Sequence, residues 1–372
     1  MNNEQLITWR NHFHQYPELA LDTEKTKSYI KEQLKNVDCE FSEPIPNSLC
    51  LYFDFGKEHT LAIRSDMDAL PVAEETGADY TSKVPGCMHA CGHDGHMAML
   101  MGAAQDIHEG KKNGTFVPER NILLVFQPGE ENPGGARLIM ETGLLDKYHV
   151  DRVFGMHLWP NLPEGVIATR PGAMMAQSSE VTIHIQGKAA HVAKYKEGID
   201  AAETAARLLL NLYEKEQEID PNIPRLLRFG HMTAGTIRNV VAHEAVLEGT
   251  LRAFDPMTFN HLKSIVEDQA RAQQERTGAR ITIQYSDGYP AVVNHEKLAE
   301  ALIRQWNLTR LDAPEMISED FSFYGQNCPS VFFFLGTGTG IPLHDSRFDF
   351  DGDLLGKGSA FWVQLAAAPG EA

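Results

Sequence analysis

No apolar run in the 372-residue sequence approaches the roughly 20 residues that a membrane-spanning helix needs. The densest apolar stretch, residues 331–335, has the length of a short buried strand. The first residues, Met1-Asn2-Asn3-Glu4-Gln5, lack the basic and apolar regions of a secretory signal, so the cytoplasm is the expected compartment. Positive charge is short as well. With 33 Lys and Arg against 51 Asp and Glu, the net charge is −18, which argues against a nucleic-acid footprint and against docking on an anionic membrane. Cysteine is scarce and odd in number, five in all, so a disulfide framework is not expected. There is no internal repeat and no low-complexity segment.

What is present is the composition of an ordinary globular chain, 42% hydrophobic and 23% charged, long enough for two domains. Residues 4–35 have helical spacing broken by the turn Tyr16-Pro17-Glu18. Apolar runs at 49–55, 60–65, 121–126 and 152–158 read as strands, and 93–108 and 134–142 as helices. This alternation predicts an α/β sheet with much parallel pairing. Near residue 173 the pattern changes. Strands at 180–186, 226–233, 245–253 and 279–285, with helices at about 200–215 and 257–277, follow the order β-α-β-β-α-β of a ferredoxin-like layer. After Gly288-Tyr289-Pro290 the α/β style returns. The expected organisation is one discontinuous α/β domain, 1–173 and 288–372, interrupted by an inserted α+β domain, 174–287.

Chemistry concentrates at a few places. Three of the 16 histidines fall in the block Met88-His89-Ala90-Cys91-Gly92-His93-Asp94-Gly95-His96. Thiolate and imidazole are the usual ligands of zinc-like ions, and Gly92 lets the backbone turn between Cys91 and His93. If extended, the two side chains would project to one side; a buried Cys at a helix start is the bland alternative. A second signal is Gln127-Pro128-Gly129-Glu130-Glu131-Asn132-Pro133, two carboxylates just past a buried strand, where open α/β sheets bind ligands. One acid can bind a metal while the other takes a proton from water; the alternative is a solvated acidic turn. Asp66 and Asp68 end another strand, His157 a third, and His344 sits in a C-terminal loop. Such convergence is what a metal site on an α/β scaffold requires. Ligand softness makes zinc the first choice, with manganese, cobalt or nickel as alternatives.

These motifs resemble the metal-dependent amidohydrolase branch of the aminoacylase/carboxypeptidase superfamily, which includes N-acyl-amino-acid hydrolases, hippurate hydrolase, N-acetyldiaminopimelate deacetylase and indole-acetyl-amino-acid hydrolases. The resemblance runs nearly end to end, from His14-Gln15-Tyr16-Pro17-Glu18 and Asp66-Met67-Asp68-Ala69-Leu70-Pro71, through Gly187-Lys188-Ala189-Ala190-His191, Asn239-Val240-Val241 and Gly249-Thr250-Leu251-Arg252, to Ser318-Glu319-Asp320-Phe321 and Pro342-Leu343-His344. It implies a zinc-exopeptidase-like α/β/α catalytic domain and a ferredoxin-like lid and dimerisation domain. It implies two divalent metals held by Cys91, His93, Glu131, His157 and His344, with Glu130 as the base that activates metal-bound water and Asp68 orienting the site. His191 matches a lid histidine that reaches the partner subunit's oxyanion, and Asn239 and Arg252 match substrate-binding positions, Arg252 suiting a carboxylate.

The implied function is hydrolysis of the amide bond of a small N-acylated amino acid by a homodimer, with no nucleic-acid or membrane partner. Two alternatives are a dipeptidase or carboxypeptidase of the same superfamily and a catalytically silent metal-dependent binder. The residue at position 91 favours the amidohydrolase branch, because the peptidases resemble one another in carrying an aspartate as bridging ligand. One departure stands out: relatives usually carry Pro-His where Tyr195-Lys196 stand here. Loop drift explains it, or else an unusual substrate, with Lys194 and Lys196 adding positive charge.

Overall fold

The computed structural model describes residues 2–368. They form two compact units. The first comprises the chain up to Met174, Val292–Ala313 and the chain from Asp320; the second comprises Met175–Ala291 and Pro314–Glu319.

The first unit is built on an eight-stranded mixed sheet. In spatial order its strands are Glu40–Ser42, Leu49–Phe53, Asn121–Gln127, Thr60–Asp66, Val150–Trp159, Ser330–Gly336, Ile167–Thr169 and Thr309–Arg310. The four central strands, Asn121–Gln127 to Ser330–Gly336, are mutually parallel. Three of them are buried at every residue, which explains why they are nearly continuous apolar runs rather than alternating ones. Helices Asn3–Gln15, His93–Asn113 and Leu354–Ala367 pack on one another. The long helix His93–Asn113 is buried through Met97, Ala98, Leu100, Met101, Ala104 and Ile107, so it forms the inner wall of the core.

The second unit is a four-stranded antiparallel sheet in the order Arg280–Tyr285, Gln177–Gln186, Glu244–Ala253, Arg225–Ala234. With helices Ala201–Gln217 and Pro256–Thr277 it has the ferredoxin-like β-α-β-β-α-β order. Alternation along Gln177–Gln186 sends Val181, Ile183 and Ile185 into a core with Leu208, Leu212, Leu247, Phe259 and Leu262. Both helices begin at capping aspartates: Asp200 accepts from the amides of Ala202 and Glu203, and Asp255 from that of Thr258.

The structure departs from the sequence reading in local detail. The chain at Cys91–His93 is not extended: Gly92 is left-handed at φ 86° and His93 already starts the helix. Several short polar strands, such as Glu40–Ser42 and Thr309–Arg310, carry no periodic signal and exist only through pairing. All five cysteines are free. Among the described residues, no helix is long and apolar enough to cross a membrane.

Candidate metal centre

The site assembles where the central parallel strands end. Asp66 and Gln127 are the last paired residues of their two strands. The chain beyond them therefore emerges side by side. Asp68 lies two residues past one end, and Gly129, at φ 72°, turns the chain back just past the other. The Asp68 carboxylate accepts the backbone N–H of Glu130 at 2.9 Å with one oxygen and that of Glu131 at 3.1 Å with the other. Its own carbonyl accepts from His93 Nδ1 at 2.8 Å. One buried residue thus orients both acids of the turn and the first histidine of the helix.

Cys91, His93 and His157 bring their sulfur and ring nitrogens within 4.8 Å of one another, all buried. Cys91 Sγ and His157 Nε2 are 3.3 Å apart. Each histidine has its Nδ1 on a carbonyl: His93 on Asp68, His157 on Leu158 at 2.7 Å. A carbonyl can only accept, so both rings hold their proton on Nδ1 and aim the Nε2 lone pair at the site. His93 Nε2 is buried with no hydrogen-bond partner. Burial lowers the pKa of both rings, with His96 also depressing His157, so both are neutral, the form that binds metals.

Cys91 also belongs to a second triad with Glu131 and His344, again within 4.8 Å. Glu131 Oε1 and His344 Nε2 are 3.1 Å apart. The His344 loop is tied to the Cys91 segment by the His344 N–H, which donates to the Ala90 carbonyl at 2.9 Å, and His344 adopts a left-handed φ of 67°. Strain of this kind in a non-glycine residue is characteristic of functional sites. Glu130 is buried, with its carboxylate 4.0 Å from His93 Nε2. Burial raises the Cys91 thiol pKa far above its usual value, and Glu131, Glu130 and Asp66 push it further. This concentration of negative charge, with lone pairs turned inward and one sulfur shared by two triads, is a donor set that fits two divalent cations.

The sequence marks Asp66 and the Ser318-Glu319-Asp320 segment, but not the layer they build underneath with Arg64. Arg64, fully buried, donates to Asp66 at 2.7 Å, to Asp320 at 2.6 Å and to Gln127 at 2.9 Å. Asp320 also accepts from Gln127 and from the Ala136 amide. Burial would raise the Asp66 carboxyl, but the Arg64 guanidinium and the hydrogen bond from His96 outweigh it and hold it well below its usual value. Beside this lies a second network: His14 bridges Asp94 and Glu74 at 2.8 and 3.1 Å, and Arg10 pairs with Asp94 and Asp349 between the rings of Tyr80 and Phe350. The His-Gln-Tyr-Pro-Glu and Ser-Glu-Asp-Phe motifs were the available signals, but nothing in the sequence showed which partners they would meet.

Of the sequence-derived site residues, the structure brings Asp68, Cys91, His93, Glu130, Glu131, His157 and His344 together. His191, Asn239 and Arg252 belong to the second unit. There His191 faces Val240 in an isolated β-bridge and Asn239 accepts from the Val192 amide at 3.1 Å. Arg252 donates to the Met316 carbonyl at 2.7 Å, and burial lowers its pKa with no acidic partner among the described residues.

An open α/β sheet with thiolate, imidazole and carboxylate at its strand ends defines the class of metal-dependent hydrolases. Residues 62–368 match the signature of peptidase family M20/M25/M40, and the chain belongs to that family as a hydrolase of the amidohydrolase type. An N-acetyldiaminopimelate deacetylase from Shouchella clausii is 34% identical over 376 residues, 99% of each chain. An uncharacterized hydrolase from Staphylococcus haemolyticus is 33% identical over 374 residues, 97% of each. The crystal structure of a dinuclear metal-binding M20 peptidase from Bacillus subtilis superposes with a TM-score of 0.85 at 27% identity, covering 98% of this chain and 97% of that one.

Proposed function

We propose that the protein hydrolyses the amide bond of small N-acylated amino acids, with Glu130 as general base and two divalent ions held by Cys91, His93, Glu131, His157 and His344, zinc being the first choice. The observation that carries the reading is the paired triad sharing Cys91, with Glu130 beside it. The deacetylase relative supports an N-acyl substrate. When bound, the ions would polarise the amide carbonyl and acidify a water. Glu130 takes the proton from that water as its oxygen attacks the carbonyl carbon, and returns it to the leaving nitrogen as the C–N bond breaks. Asp68 keeps Glu130 and Glu131 in register by holding their amides. As the family resemblance implies, His191 supplies a donor to the oxyanion in the partner subunit's site, and Asn239 and Arg252 bind the substrate, Arg252 by pairing with the substrate's carboxylate. Among the described residues Arg252 donates only to the Met316 carbonyl and has no acidic partner, which leaves its charge suited to that anion.

The second unit is also where we place the homodimer contact, since Tyr195, Ile237, Val192 and Val240 are exposed there around a cavity of about 720 Å³. Free cysteines throughout suit the cytoplasm. The peptidase reading is favoured by the Bacillus subtilis neighbour. Released amine from hippurate and N-acetyl-amino acids, measured against unblocked dipeptides, decides between them. Turnover of the acylated panel alone supports the proposal, and turnover of the dipeptides alone overturns it.

A further inference from the structure

His96 lies one turn past His93, on the same buried helix, and is itself buried. Its Nε2 is 2.9 Å from the Leu158 backbone nitrogen, and its Nδ1 is 2.7 Å from Asp66 Oδ1. An amide can only donate, so Nε2 accepts and the proton sits on Nδ1, given to Asp66. The two partners belong to neighbouring strands. The parallel ladder between Thr60–Asp66 and Val150–Trp159 stops at the Arg64–Gly155 pair, three residues short of Leu158. On its other side, Val150–Trp159 stays paired with Ser330–Gly336 as far as Trp159. Without the imidazole, the Leu158 N–H would be a buried donor with no ladder partner. Leu158 follows His157, and its carbonyl is the one that holds His157 Nδ1. The rings of His96 and His157 also meet edge-on, with centroids 4.6 Å apart.

We infer that His96 is a positioning residue for His157: a side-chain bridge that replaces the missing ladder bond and so fixes the Leu158 peptide on which the His157 ring hangs. The inference rests on the metal-centre reading above, because it assigns His96 an effect on ligand placement. Arg64, itself paired with Asp320, holds the far anchor, Asp66, from below. The bond to Leu158 is the arm that matters for the metal; the bond to Asp66 anchors it.

The two arms can be separated. A glutamine places Oε1 as many bonds from Cα as Nε2 of histidine and can accept the Leu158 N–H. An asparagine places Nδ2 at the level of Nδ1 and can serve only Asp66. The probe is cobalt(II), added to apo full-length protein in competition with a chromophoric chelator. The thiolate-to-cobalt and d–d absorption bands report ligand geometry, and unfolding midpoints are measured on the same samples. Wild type should take up two equivalents. His96→Ala should weaken uptake by about 10–100-fold, the usual effect of losing a partner of a metal-binding histidine. His96→Gln should recover most of that loss and the wild-type bands, and His96→Asn should not. Wild-type affinity and bands in all three variants, with only lower unfolding midpoints, would make His96 a packing residue and overturn the inference. Equal losses in the Gln and Asn variants would overturn it as well. No cobalt uptake by wild type would overturn the metal centre itself, a failure visible before any variant is compared.

Discussion

Asp68→Asn is the perturbation that most sharply separates the support of the site from its chemistry. Asp68 spends both oxygens on backbone donors, the amides of Glu130 and Glu131, at 2.9 and 3.1 Å. An asparagine has the same size but one acceptor. Whichever way its amide is turned, one N–H of the acidic turn then faces an NH₂ group. A charged hydrogen bond of this kind contributes about 1.5–3 kcal/mol, and a buried donor left facing a donor costs a further 1–3 kcal/mol or so. The loss in unfolding free energy should therefore be about 3–5 kcal/mol, read from guanidinium denaturation of the apo protein. The Asp68 carbonyl still accepts from His93, so the Cys91–His93–His157 triad should keep its metal affinity while the Glu131-containing triad loses it. Metal content after dialysis should fall from two equivalents towards one, and turnover should fall with it. Wild-type stability together with two retained metals and full turnover would refute the role given to Asp68.

Three other outcomes are expected. Arg64→Met leaves the Asp66 and Asp320 carboxylates buried without their cation, which should cost about 3–5 kcal/mol; Arg64→Lys should recover only part, since an ammonium's three donors radiate from one nitrogen and cannot match the spread of Nε, Nη1 and Nη2. Burial would lower the His14 pKa, but its bonds to Asp94 and Glu74 outweigh that and raise it from 6.5 to about 9. Between those values the folded protein holds a proton that the unfolded chain has released, so stability should fall by about 3 kcal/mol as pH rises from 6.5 to 9, and His14→Gln should abolish that slope in urea midpoints measured across the window. Adding metal to chelator-stripped protein should raise its stability by about 2.7 kcal/mol at a hundredfold excess over the dissociation constant, a shift that vanishes on re-adding chelator.

Much of the fold could be read from the sequence because its central strands are buried on both faces. Residues 121–126 and 331–335 have no polar alternation to confuse them with a surface element. The edge strands Glu40–Ser42 and Thr309–Arg310 are short, polar and held by neighbours far away in sequence, so no local pattern marks them. The same distinction holds at the site. The Cys91–His93 block and the Glu130–Glu131 turn stand out because ligand-type residues sit next to glycine and proline. Their support does not stand out. Arg64 meets Asp320 across 256 residues and His14 meets Asp94 across 80, and only the fold closes those distances. The role of His96 is not legible in sequence, because its two hydrogen bonds lead to a strand end and a backbone amide, neither of which leaves a sequence signature.

The most direct test of the central claim is a paired measurement on wild type and Glu130→Gln: metal content by plasma mass spectrometry, and amine release from N-acyl-amino acids. Both proteins should carry two metals per chain, because Glu130 is in neither triad that shares Cys91, and glutamine keeps an oxygen where Glu130 groups with His93 and Glu131. Wild type should turn substrate over, and the variant should be slower by about 10²–10⁴-fold, the range for loss of a general base. A metal-loaded Glu130→Gln protein that keeps wild-type turnover, or a wild type that takes up no metal, would contradict the account.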